Sequence, residues 1–167
     1  MNPMRKIQIE KVVINIGCGG DLNKIERALK LLQIINGKKP VITKSKRRST
    51  FGIAKGKPVG VKVTLRGKDA EEFFKRVLEA KGNVLNASSI DKEGNISIGI
   101  KEYIELPGVK YNHEIGMLGM DVCISFKRPG YRIKFRKIQK RKIPRKHRIT
   151  REEIIEWLKE KGVEIRG

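Results

Sequence analysis

Four short runs of this chain alternate between apolar and other residues, and a period of two lands every second side chain on the same side, so each run is predicted to be a strand with one covered and one uncovered face. The clearest is Val59 to Arg66, where Val59, Val61, Val63 and Leu65 point one way and Gly60, Lys62, Thr64 and Arg66 the other. Ile7 to Ile16 sets Val12, Ile14 and Ile16 against Val13 and Asn15; Ile7 and Ile9 fall out of that phase, which predicts a bulge near Glu10 and Lys11. Asn95 to Tyr103 turns Ile96, Ile98 and Ile100 inward, and Asp121 to Lys127, read as the last strand, does the same with Val122, Ile124 and Phe126. A short strand is predicted over Val41 to Thr43.

Helices supply the cover. After Gly17-Cys18-Gly19-Gly20, Asp21 is a good N-cap for a helix with Leu22, Ile25, Ala28, Leu29, Leu32 and Ile35 on one face, ended by Asn36-Gly37. Asp69 with Glu72 reads as a capping box for a second helix, whose buried stripe is Ala70, Phe73, Phe74, Val77 and Leu78 and whose end is Gly82. Thr150 with Glu153 reads as another capping box, for a C-terminal helix carrying Ile154, Ile155, Trp157 and Leu158. Asp91 to Asn95 has turn chemistry, and Leu106 to Gly119, rich in Gly and Pro without a sustained period, reads as a protruding loop. The expected fold is α+β: a largely antiparallel sheet with helices on one face and the other face open, plus a basic C-terminal extension ending in a short helix. Residues 1–128 form the α+β domain and 129–167 the extension, packed on the same single domain.

Charge says what the open face meets. The 39 Lys and Arg against 18 Asp and Glu give +21 over 167 residues, far more than solubility requires. No acidic residue lies between Glu26 and Asp69 or between Asp121 and Glu152, and each window holds 13 basic residues. The positive charge is therefore sorted, which is the footprint of a polyanion partner: each phosphate neutralised releases condensed counterions. The uncovered strand positions are small or polar, namely Asn15, Gly60, Lys62, Thr64, Arg66, Ser97, Gly99, Lys101, Cys123, Ser125 and Lys127. Without aromatics they suit shape-directed docking onto folded RNA better than base stacking on single strands. Lys44, Lys46, Arg47 and Arg48 form one cation reservoir and Lys127 to Arg148 the other, including Arg128, Arg132, Arg136, Lys146 and Arg148. Isolated apolar residues and Pro129 and Pro144 make that second segment an extended arm ordered by RNA.

Other chemistries find no footing. Gly17 to Leu22 fails as a dinucleotide loop because Leu22 stands where the third glycine is needed and Asp21 would oppose a pyrophosphate. Gly52 to Lys57 misses the phosphate-loop spacing by one residue, and Pro58 follows in place of Ser or Thr. Cys18, Cys123, His113 and His147 make no metal-ligand spacing and no catalytic constellation, so the chain is read as a non-enzyme with no cofactor and no metal, its thiols packed as small apolar residues. No apolar run approaches the length of a membrane span and no signal peptide is visible, so no membrane partner is expected and the protein reads as cytosolic. A general RNA chaperone or RNA-binding repressor and an RNA-modifying enzyme are the competing readings; the enzyme lacks a His/Asp/Glu cluster.

Specific motifs narrow this further. Asn2-Pro3-Met4, Val12 to Gly17, Lys39-Pro40 with Thr43-Lys44, Phe51-Gly52, Lys62 to Gly67, Gly94-Asn95, Gly99-Ile100 with Glu102, Arg128-Pro129-Gly130-Tyr131, and Lys146 to Thr150 leading to Trp157 resemble, in order and over nearly the whole chain, large-subunit ribosomal protein five. The tail is similar to the archaeal and eukaryotic branch. The resemblance implies a protein that attaches 5S rRNA in the central protuberance, beside large-subunit rRNA and other 5S-associated ribosomal proteins. It implies 5S rRNA contacts from Asn15, from Thr43 and the Lys44 to Arg48 region, and from Lys62, Thr64 and Arg66. It further implies contact with peptidyl-site tRNA from the Phe51 to Lys57 loop, through Phe51, Lys55 and Lys57. The Leu106 to Gly119 loop, with Pro107, Lys110, Tyr111 and His113, would bridge to small-subunit ribosomal protein thirteen. Gly20 and Lys38 depart from the family pattern, which has an acidic residue and often Gln there.

Overall fold

A computed structural model describes residues 2–167. Its main strands are β1 (Gln8–Gly17), β2 (Val41–Lys44), β3 (Pro58–Leu65), β5 (Ile96–Ile100) and β6 (Met120–Lys127), which hydrogen bonds join into an antiparallel sheet in the order β2-β3-β1-β6-β5. The helices are α1 (Leu22–Asn36), α2 (Lys68–Ala80) and α3 (Arg151–Glu160). Two three-residue strands, β4 (Val84–Asn86) and β7 (Glu164–Arg166), pair in parallel as a separate small sheet, so β6 is not the last strand. The chain condenses into two compact units, one of Val13–Leu65 with Ile98–Val122, the other of the residues through Val12 with Arg66–Ser97 and Cys123–Gly167.

In the first of these, which we call the α1 unit, the alternation decides what is buried: Ile14, Ile16, Val61, Val63, Leu65, Ile98, Ile100 and Val122 are all in the core. Helix α1 packs on β3 and β2 and buries Ile25, Ala28, Leu31, Leu32 and Ile35. Asp21 caps it through the Asn23 amide at 3.0 Å, and Gly37, in the left-handed conformation, ends it. Leu31 fills the stripe between Ala28 and Ile35, one turn away on either side, whereas Leu29 is only half-buried and Leu22, in the first turn, is 65% exposed. The predicted strand to Tyr103 stops at Ile100, and Tyr103 instead opens a short 3-10 turn.

In the other, the C-terminal unit, α2 buries the predicted stripe Ala70, Phe73, Phe74, Val77 and Leu78. Phe74 stacks on Trp157 of α3 (centroids 6.3 Å apart), and Phe126 of β6 meets both rings edge-on. Such offset and edge-to-face pairs add to the area they bury. The capping box predicted for α2 is absent: the helix starts earlier, at Lys68, after Gly67 as N-cap, whose φ of 65° and ψ of −138° suit only glycine, and no side chain caps it. Asp69 and Glu71 thus fall in the first turn, where the helix dipole favours them. The box predicted for α3 is complete, Thr150 and Glu153 each taking the other's backbone amide. No described helix is long and apolar enough to cross a membrane.

Candidate nucleic-acid interface

The β2–β3 hairpin of the α1 unit builds the sharpest part of the open face. Antiparallel register places Thr43 opposite Gly60 and Val41 opposite Lys62. Along β3 the core residues Val61, Val63 and Leu65 alternate with exposed Lys62 and Thr64, as predicted. Gly60 is buried, contrary to its assignment to the uncovered set: a Cβ there would lie 2.5 Å from the Ile16 carbonyl oxygen of β1 and 3.2 Å from Thr43 Oγ1. The missing side chain lets β1 and Thr43 close over it. Asn15 and Thr43 are half-buried, and Lys44 and Lys101 are exposed.

Beyond the strands the hairpin continues as a hydrogen-bonded loop. Ser45 donates its amide to the Lys57 carbonyl (2.9 Å), Gly56 to that of Ser45 (2.8 Å) and Ser49 to that of Ile53 (2.9 Å). The ladder lifts Phe51 to 89% exposure between the exposed cations Lys46, Arg47 and Arg48 on one limb and Lys55 and Lys57 on the other. The Lys57 side chain lies along the turn after β1, its Nζ 3.6 Å from where a Cβ of Gly20 would sit.

Leu106 to Gly119 is anchored at several points. Leu106 and Ile115 are buried, Asn112 donates its amide to the buried Tyr103 hydroxyl (2.9 Å), and Glu114 pairs with Lys30 of α1 (3.6 Å). Between the anchors Pro107, Lys110, Tyr111 and His113 are exposed.

In the C-terminal unit, Arg66 is exposed, Lys127 half-buried, and Cys123 exposed with its sulfur accepting from Ser97 Oγ at 3.7 Å. Cys18 is the thiol that packs as a small apolar residue; burial pushes its pKa up. Cys123 is no part of the core. The basic segment is not a free extended arm, because Ile143 and Ile149 are buried and 3-10 turns form at Tyr131–Lys134 and Arg145–His147. Arg132, Lys146 and Arg148 are exposed and Arg136 half-buried.

Arg128, placed above among the RNA contacts, is 4% exposed and turned to internal work. Its guanidinium lies 2.6 Å from the Glu153 carboxylate and donates to the His147 and Arg148 carbonyls. Partial burial pushes the Glu153 carboxyl up, yet the Arg128 hydrogen bond and charge, with the Thr150 amide, hold it below the usual carboxylate range. Burial raises the nearby Tyr131 hydroxyl. The signal was present: 122, 124, 126 and 128 share one phase, so the alternation that turned Val122, Ile124 and Phe126 inward turns Arg128 inward too. Among the described residues no cluster of three His, Cys, Asp or Glu could hold a metal ion.

Each unit offers hydroxyls, small residues and exposed cations, and the chain matches known proteins over nearly its whole length. The family model described as "Ribosomal protein L5" matches residues 2–53, and the model of the same ribosomal family's C-terminus matches residues 58–157. Large ribosomal subunit protein uL5 of Sulfurisphaera tokodaii is 50% identical over 162 residues, covering 96% of this chain and 92% of that protein. Those of Methanosphaera stadtmanae (47% over 161 residues, 96% of both chains) and Methanococcus vannielii (45% over 168 residues, 98% and 93%) are similar in the same way. These relatives are structural ribosomal proteins, not enzymes. The chain therefore belongs to the L5 family of large ribosomal subunit proteins.

Proposed function

We propose that this ribosomal protein binds 5S rRNA and holds it in the central protuberance, through the uncovered strand positions and the basic segments of each unit. The observation that carries the reading is the exposure of Lys62 and Thr64 on a strand whose alternate residues are core, within a window of 42 residues, 27–68, that has no acid. Hydroxyls and cations at that spacing suit phosphate and 2′-hydroxyl contacts on folded RNA. Asn15, Thr43, Lys44, Lys101 and Lys127 extend the same chemistry, and large-subunit rRNA is the second polyanion within reach of the other cations. The Phe51 tip, with Lys55 and Lys57, suits peptidyl-site tRNA: an exposed ring among cations offers stacking and phosphate contact together. The Pro107 to His113 stretch, exposed between fixed anchors, suits the bridge to small-subunit ribosomal protein thirteen.

The test is filter binding of a 5S rRNA transcript at physiological salt, with unrelated tRNA as competitor. Thr64→Glu or Arg66→Glu weakens binding by about 1–3 kcal/mol, the loss of a positioned contact with an added charge clash. Unchanged affinity removes these positions from the interface, and equal competition by tRNA favours a general RNA chaperone.

A further inference from the structure

The segment that joins β6 to α3 is a basic loop whose two ends are fastened to each other. At one end stand Arg128, Pro129 and Tyr131, at the other His147, Arg148 and Ile149. Besides the Arg128 contacts described above, the Tyr131 hydroxyl donates to the His147 carbonyl (3.3 Å) and accepts the Ile149 amide (3.2 Å), and a His147 ring nitrogen lies 2.9 Å from the Pro129 carbonyl oxygen. The Glu153 carboxylate, which α3 contributes from its first turn, is the counter-charge for the buried Arg128 guanidinium. Between the fastened ends every charged side chain is a cation. Mutual repulsion and loop-closure entropy both work to open it.

We propose that Arg128 and Glu153 are positioning residues for RNA binding: the pair shuts this loop before RNA arrives, so that its cations meet phosphates as a preformed surface. The proposal rests on the reading that the loop touches RNA. Order present beforehand is order that association need not create, so the pair raises affinity without touching a phosphate. Glu153→Gln is the sharp variant, because glutamine still completes the capping box while the charge on Arg128 loses its partner.

The full-length protein is tested in two ways, by limited trypsin digestion of the free chain and by titration with a 5S rRNA transcript across a salt series. Glu153→Gln speeds cleavage between 131 and 147 by about tenfold and weakens RNA binding by about tenfold, with the salt slope kept, since the phosphates contacted are the same. Coulomb's law alone gives the opposite sign, because deleting a carboxylate near a polyanion tightens binding. The double variant Arg128→Met with Glu153→Gln removes both charges and recovers most of the protection and the affinity. Unchanged cleavage, unchanged or tighter binding by Glu153→Gln, or a slope reduced by about one in Arg128→Met alone overturns the proposal. Arg132→Ala with Arg136→Ala separates the two levels. If that pair weakens binding while Glu153→Gln does not, the positioning role fails; if neither does although Glu153→Gln opens the loop, the RNA reading of the loop fails.

Discussion

Gly60 shows how much a single position can decide. It sits in the phase of the open face, yet it is buried because β1 passes so close that a Cβ would meet the Ile16 carbonyl oxygen at 2.5 Å. The obstacle is backbone, which cannot swing aside as a flexible side chain can. Gly60→Ala is therefore expected to lower stability by about 1–3 kcal/mol, the usual cost of overpacking, read as a lower urea midpoint with an unchanged m-value. Lys62 and Thr64, two and four residues on, were legible from alternation alone, because a two-residue period needs no knowledge of the partner strand. Gly60 was not, since only the pairing with β1 and Thr43 reveals the approach.

Elements differ in how locally they are written. The Thr150/Glu153 box is a four-residue device and forms as predicted, whereas the Asp69/Glu72 box is pre-empted by Gly67, which takes the N-cap position of α2 two residues before Asp69. The parallel pair β4 and β7 has no sequence signal: three residues each, 80 positions apart, show no period, and the pairing exists because α3 returns the chain to Asn83, whose carbonyl takes the Glu164 amide at 2.8 Å. Helix α3 also carries a pH dependence. The folded-state pKa of Glu153 lies below its unfolded value, so its contribution is complete above the ordinary carboxylate range and is lost as pH falls through the depressed value. Protection factors of the α3 amides, corrected for the intrinsic exchange rate at each pH, are expected to fall in that acid window, and Glu153→Gln is expected to flatten the dependence. At neutral pH the same variant costs about 2 kcal/mol, less than a fully buried pair because the Glu153 side chain is 36% exposed.

For the whole molecule the ruling quantity is charge: +21, with 26 of the 39 basic residues in two acid-free windows. Repulsion on that scale is relieved by a polyanion, and counterion release sets how strongly binding depends on salt. With about five phosphate contacts, log K for 5S rRNA is expected to fall against log salt with a slope of about −4 or steeper. A nearly flat plot over a titration series refutes the electrostatic account. The sequence by itself determined the α+β class, the strand faces, the helical stripe of α2 and the presence of a polyanion partner, because periodicity and charge are properties of neighbours along the chain. Tertiary structure alone decided which groups the inward-turned Arg128 meets, that the basic segment is a fastened loop and that Gly60 is closed over. Each of these depends on which distant groups meet, and a buried charge or a missing Cβ acquires its meaning only from the atoms brought against it.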